Sequence, residues 1–130
     1  MAYIDDDILE TARANPHFRQ VLETTEHLQL VVMTIPVGGE IGAEVHDGID
    51  QSLIFVSGRA AADLDDDTRE VGPGAVVIVP AGTRHNFRNV GDEPLVLWTL
   101  YGPPDHRPGT VHRTKAEADA DEHDEPPQES

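Results

Sequence analysis

Cysteine is absent from the 130 residues, which excludes disulfides, thiolate metal ligands and cysteine nucleophiles. Lysine is nearly absent: Lys115 stands alone, and 25 acidic residues face 9 basic ones for a formal net charge of −16. Nucleic acids and anionic membranes are recognised through Lys/Arg clusters, so neither is an expected partner of so acidic a surface. No apolar run approaches the roughly 20 residues that cross a bilayer. The N-terminal stretch carries Asp5, Asp6 and Asp7 where a signal peptide would have a basic start and an apolar middle. A cytoplasmic protein is expected. No internal repeat is visible at the periods of repeat proteins.

What is present divides into three stretches around one expected core. Residues 1–18 form a helical lead, in which Ile8, Leu9 and Ala12 follow an Asp cluster suited to a helix start and Asn15-Pro16 closes the segment. Residues 19–103 carry short β-rich runs separated by Gly, Pro and Asp, clearest at 28–35, 52–56, 75–79 and 95–101. That spacing predicts an all-β sandwich or barrel. Asp65-Asp66-Asp67 reads as a turn, because an EF-hand loop would need its Gly and terminal Glu. Residues 104–130 form a Pro- and His-containing, then acidic, tail, with 116–130 expected to be disordered or a frayed helix. The Asp-rich, Lys-poor composition is similar to that of proteins from salt-loving microbes, where exposed charge is screened over about 3 Å at 1 M salt. An ordinary acidic protein with an acidic tail is the alternative.

Two segments carry candidate chemistry. In the first, Gly38 and Gly58 frame Glu44, His46 and Gln51. Alternation along a strand points Glu44 and His46 the same way, and a hairpin at Asp47-Gly48 lets Gln51 face them from its other arm. In the second, Gly74 precedes a strand at 75–79 expected to be buried, Pro80-Ala81-Gly82 turns the chain, and His85 opens a returning strand with Phe87 and Asn89.

These segments resemble the two signature motifs of the cupin superfamily. Gly74, Pro80, Gly82, His85 and Asn89 fill the second motif; the first keeps Gly38, His46 and Gly58 but has Glu44 where a histidine is usual and Gln51 where a glutamate is usual. The resemblance implies a double-stranded β-helix (jelly-roll) barrel holding one divalent metal per chain at its mouth, often as a homodimer. The two departures preserve site charge, since Glu44 supplies the carboxylate and Gln51 becomes a neutral oxygen donor. Gln51 is either a direct ligand or a hydrogen-bond partner of one.

Two imidazoles with one carboxylate, from Glu44, His46 and His85, form the set that suits non-haem iron, which would make these three the catalytic centre. The mixed nitrogen and oxygen donors favour Fe(II) or Mn(II), with Zn(II), Ni(II) and Co(II) chemically compatible. Strand parity turns Leu53, Phe55 and Phe87 inward as an apolar pocket for a small organic substrate. Arg84 and Arg88 have the opposite parity and should face solvent. The segment from Tyr101 through His106 to His112 is similar to the tail of small cupins described as mannose-6-phosphate-isomerase-like. His106 or His112 could cover the mouth as an acid/base, with plain packing as the alternative. Oxidation of the dioxygenase type is the leading expectation; sugar or sugar-phosphate isomerisation and non-catalytic ligand sensing are the others.

Overall fold

A computed structural model describes residues 2–121. The lead contains one helix, α1 (Ile8–Ala14), whose first turn is capped by the Asp7 carboxylate accepting from the Glu10 backbone N–H. Nine strands follow: β1 (Arg19–Thr24), β2 (Gln29–Ile35), β3 (Asp50–Ser57), β4 (Ala60–Leu64), β5 (Asp67–Val71), β6 (Val76–Val79), β7 (His85–Asn89), β8 (Leu95–Gly102) and β9 (Val111–His112). A second helix, α2 (Lys115–Ala120), closes the described chain.

The strands make two antiparallel sheets, one in the order β6-β3-β8-β2-β1-β9 and the other β5-β4-β7. Alternation along β8 explains how the large sheet is covered on both faces. Leu95, Leu97 and Tyr101 point between the sheets and join Phe18, Met33, Leu53, Phe55 and Phe87 in the main core. Val96 and Trp98 point outward and pack with Val32, Val56 and Ala12 of α1. The Trp98 indole N–H donates to the Ile8 carbonyl at 2.9 Å, which ties the lead to the sheet. Ala12 is buried as expected, whereas Ile8 and Leu9 remain largely exposed because so short a helix offers the sheet only a narrow stripe.

Three further expectations are corrected. The run at 75–79 is not a buried strand: β6 is the edge of the large sheet, with Val76 and Ile78 exposed and Val79 buried. A continuous apolar run looks the same whether it is central or at an edge, because neighbour identity is a property of topology. Second, Glu44 and His46 do not lie on a regular hairpin arm opposite Gln51. Residues 47–48 do turn, but Glu44 forms an isolated bridge with His85, each backbone N–H donating to the other's carbonyl at 2.9 Å. Third, part of the stretch from 104 onward is built into the fold, since β9 pairs with β1 through Arg19 opposite His112; α2, capped by the Thr114 hydroxyl accepting from the Glu117 N–H, accords with the helix alternative expected there. Expected disorder at 122–130, and His123, lie outside the described residues.

The glycine frame has a steric reason at Gly58, whose φ is +86° and where a Cβ would meet the Pro94 carbonyl oxygen at 2.7 Å. Both the left-handed backbone and the close approach of another segment therefore require its missing side chain. At the opposite end of the barrel, the turn before β7 delivers His85 to the mouth, where the Gly82 N–H donates to the His46 carbonyl at 2.9 Å.

Candidate metal centre and its cavity

Donor atoms of Glu44, His46 and His85 lie within 4.8 Å of one another, a group that could hold a metal ion. Each is positioned by a different local device. Glu44 is held by its bridge to His85, His46 by the bond from Gly82, and His85 by the first pair of β7. His85 Nδ1 is 2.9 Å from the Thr83 carbonyl oxygen. A carbonyl only accepts, so Nδ1 carries the proton and Nε2 keeps its lone pair free for a cation.

His46 stands between two carboxylates. Its Nε2 is 2.8 Å from Glu44 Oε2 and its Nδ1 is 3.5 Å from Asp105 Oδ1. Burial works against the charged form of His46, but the hydrogen bond to Glu44 and the charges of Asp105 and Glu44 outweigh it and raise its pKa. Burial likewise works against ionised Glu44, and the His46 bond, with the positive charges nearby, outweighs it and lowers its pKa. In the metal-free protein the contact thus favours a charged His46 beside an ionised Glu44, an arrangement that a divalent ion would replace.

Gln51, at the start of β3, is 3% exposed. Its amide N–H groups donate to Thr99 Oγ1 at 3.0 Å and to the Tyr101 hydroxyl at 3.3 Å, while its carbonyl oxygen is buried without a donor. A buried acceptor left open is costly in a folded protein. The two imidazoles and one carboxylate that converge here fit a divalent metal. Burial raises the Tyr101 phenol far above its ordinary value, so it is a neutral hydroxyl at any working pH. Its ring meets His46 and His106 edge-on, with centroids 5.9 and 5.2 Å apart.

Leu53, Phe55 and Phe87 are fully buried in the main core, with the Phe87 ring 6.1 Å from that of His85, and none of them lines the cavity at the mouth. That cavity, of about 430 Å³, is bounded by Phe18, Ile41 and Val45 on one hand and by Arg19, Glu44, His46, Asp105, His106, Asp119 and Asp121 on the other. Its walls are much more polar than strand parity implied, because they come from the C-terminal segment folding back over the opening. Gln29, fully buried, holds that segment: its carbonyl oxygen accepts from the Asp105 and His106 N–H groups, and its amide donates to the His106 carbonyl at 2.7 Å. His106 thus reaches the cavity wall, while His112 lies under it on β9, bonded to Arg19 and Asp121. Arg88 faces outward and forks onto Asp63, and Arg84 is exposed.

Arg19, Gln29, Tyr101 and Asp105 escaped the motif-based reading. The one sequence signal for Arg19 is its register with Val21, which places an arginine on the inner face of β1.

Comparison with known proteins agrees with this architecture. The chain is 38% identical over 122 residues to the uncharacterized protein YrkC of Bacillus subtilis, covering 89% of this chain and 66% of that one, so it spans slightly under two thirds of that relative's length. The crystal structure of BH2720 from Bacillus halodurans superposes with a TM-score of 0.91 at 38% identity, covering 93% of this chain and 96% of that chain. KdgF from Halomonas sp. is more distant, with a TM-score of 0.60 at 25% identity over 65% of this chain and 78% of the other. The cupin domain family matches residues 31–101, and with two sheets wound around one core and the motif residues gathered at one end, the chain belongs to that family.

Proposed function

We propose that this protein is a metal-dependent enzyme that oxidises a small organic molecule at a centre formed by Glu44, His46 and His85, with Gln51 as a fourth donor. The observation that carries the reading is the convergence of the three donor side chains to within 4.8 Å. A divalent ion held there would supply Lewis acidity and, as Fe(II) or Mn(II), a means of bringing oxygen to an electron-rich substrate. The chain's own residues set the conditions. Glu44 stays ionised at neutral pH because its pKa is lowered. His85 is fixed in the tautomer that leaves Nε2 open. Leu53, Phe55 and Phe87 form a dry floor that excludes water beneath the centre.

The test is anaerobic loading with Fe(II), metal analysis, and oxygen uptake with a panel of diketones, catechols and sugars. One ion per chain and uptake driven by an enol or catechol are expected. Stoichiometric metal in Glu44→Ala would overturn the ligand assignment.

A second reading, isomerisation of a sugar or sugar phosphate, is favoured by Asp105 and His106 on the cavity wall, where Oδ2 and Nε2 are 3.4 Å apart and could pass a proton to or from a bound substrate. Turnover unaffected by removing oxygen would select it; ligand binding with no turnover would leave a sensing barrel. Carboxylates crowding the wall speak against a dianionic phosphate. A homodimer and a salt-adapted surface complete the proposal, and sedimentation together with melting in rising KCl checks both. Among the described residues no helix is long and apolar enough to cross a membrane.

A further inference from the structure

Arg19 is the least explained charge in the molecule. It lies on the inner face of β1, is 5% exposed, and borders the cavity beside Glu44 and His46. Among the described residues its side chain makes one hydrogen bond, from Nη1 to His112 Nδ1 at 3.3 Å, and its buried Nε has no acceptor. A guanidinium cannot accept, so His112 Nδ1 is the acceptor, and its Nε2 then donates to Asp121 Oδ2 at 2.9 Å. The Asp121 carboxylate and the imidazole thus orient the guanidinium from behind without neutralising it by a direct ion pair. Phe18, whose ring centroid is 5.3 Å from the guanidinium carbon, supports it from one side.

A buried guanidinium with an open donor is expensive to maintain, and the forked geometry of arginine matches a planar carboxylate through two parallel bonds. Asp105, Asp119 and Asp121 on the same wall would repel a doubly charged phosphate, and a single guanidinium is too little to offset it. A monoanion is the group that satisfies both conditions.

We infer that Arg19 is the substrate-recognition residue of this cavity and that the ligand is a small organic acid whose carboxylate docks on it while the rest of the molecule faces Glu44 and His46. This rests on reading the cavity as the substrate site. Arg19 here positions and selects; it does not belong to the reacting set.

The experiment titrates the full chain, metal-free and loaded with Mn(II), with pyruvate, lactate and benzoate, each against its primary amide, and follows binding by NMR. The acids should bind at least about tenfold more tightly than the amides, as expected for a charge-assisted pair of hydrogen bonds. Arg19→Met should erase that preference while leaving metal stoichiometry unchanged. If that variant does not fold, Arg19→Lys, which keeps the charge but not the fork, should narrow it. Equal binding of acid and amide, no binding of any acid, or a preference unchanged in the folded variant overturns the inference. Uptake of metal without acid preference sinks it and leaves the metal centre standing; acid preference without metal uptake does the reverse.

Discussion

Asn89 and Gln51 are buried amides at opposite ends of the same barrel, and their hydrogen bonding differs in kind. At the closed end, Asn89 donates to the Ile35 and Glu93 carbonyls and accepts from the Gly91 N–H, so both ends of its amide are used in tying three segments together. At the mouth, Gln51 uses only its N–H groups and leaves its carbonyl oxygen open. Gln29 is a third case, fully engaged in holding residues 105 and 106 over the opening. An amide whose every polar atom is paired is a structural joint; one buried with an atom to spare carries an uncompensated desolvation cost. The closed end therefore uses its buried amide fully, and the mouth leaves a buried acceptor unpaired among the described residues.

The sharpest way to break this contrast is Asn89→Ala, which strands the buried Ile35 carbonyl and leaves the part-buried Glu93 carbonyl and Gly91 N–H to water, and should cost about 2 kcal/mol, measured by denaturant unfolding. Metal stoichiometry of the folded fraction should be unaffected. Next, Glu44→Gln removes the one charge in the donor set, and metal affinity measured by competition with a chelator should fall about 100-fold, close to 3 kcal/mol, with little loss of fold. Gln51→Leu is more discriminating: apolar volume replaces an amide with an unpaired oxygen, so stability should change by less than about 1.5 kcal/mol while metal affinity drops about 10-fold or more. A large unfolding cost for Gln51→Leu equal to that of Asn89→Ala would erase the distinction between the two ends.

The gentlest effect is on pH dependence. The pKa of His46 is raised in the folded metal-free protein, so the stability it contributes is fully present below its ordinary value of 6.5 and is lost as pH rises through the raised value. The pKa of Glu44 is lowered, so its contribution is present above its ordinary 4.5 and is lost as pH falls through the lowered value. Metal-free protein should gain most from this pair between about pH 4.5 and 6.5. Metal binding must expel the His46 proton, so affinity should weaken as pH falls below the raised pKa, up to about tenfold per unit. Titrating metal affinity from pH 5 to 8 in wild type and Asp105→Asn checks the sign, and the variant should shift the profile toward lower pH because one source of the raised pKa is gone.

The resemblance of the two glycine-framed segments to cupin motifs anticipated the convergence of Glu44, His46 and His85, although the hairpin strand expected to carry the first two is only an isolated bridge. Residue type and spacing were enough to place Leu53, Phe55 and Phe87 inside the barrel. The reading failed where position depends on neighbours distant in the chain. The apolar run at 76–79 became an exposed edge, since nothing in its own residues encodes whether another strand lies beyond it. Nothing in the local pattern singled out Arg19, which is covered when β9 returns beside β1 and His112 meets it.

By itself, then, the sequence determined the fold family and which side chains could gather at the centre, because turn-forming glycines and ligand chemistry act over a few residues. Only the tertiary structure decided what surrounds that centre. The walls of the cavity are built from Arg19 at one end of the chain and Asp105, His106 and Asp119 at the other, and contacts across such separations are fixed by how the sheets close, which no local pattern specifies.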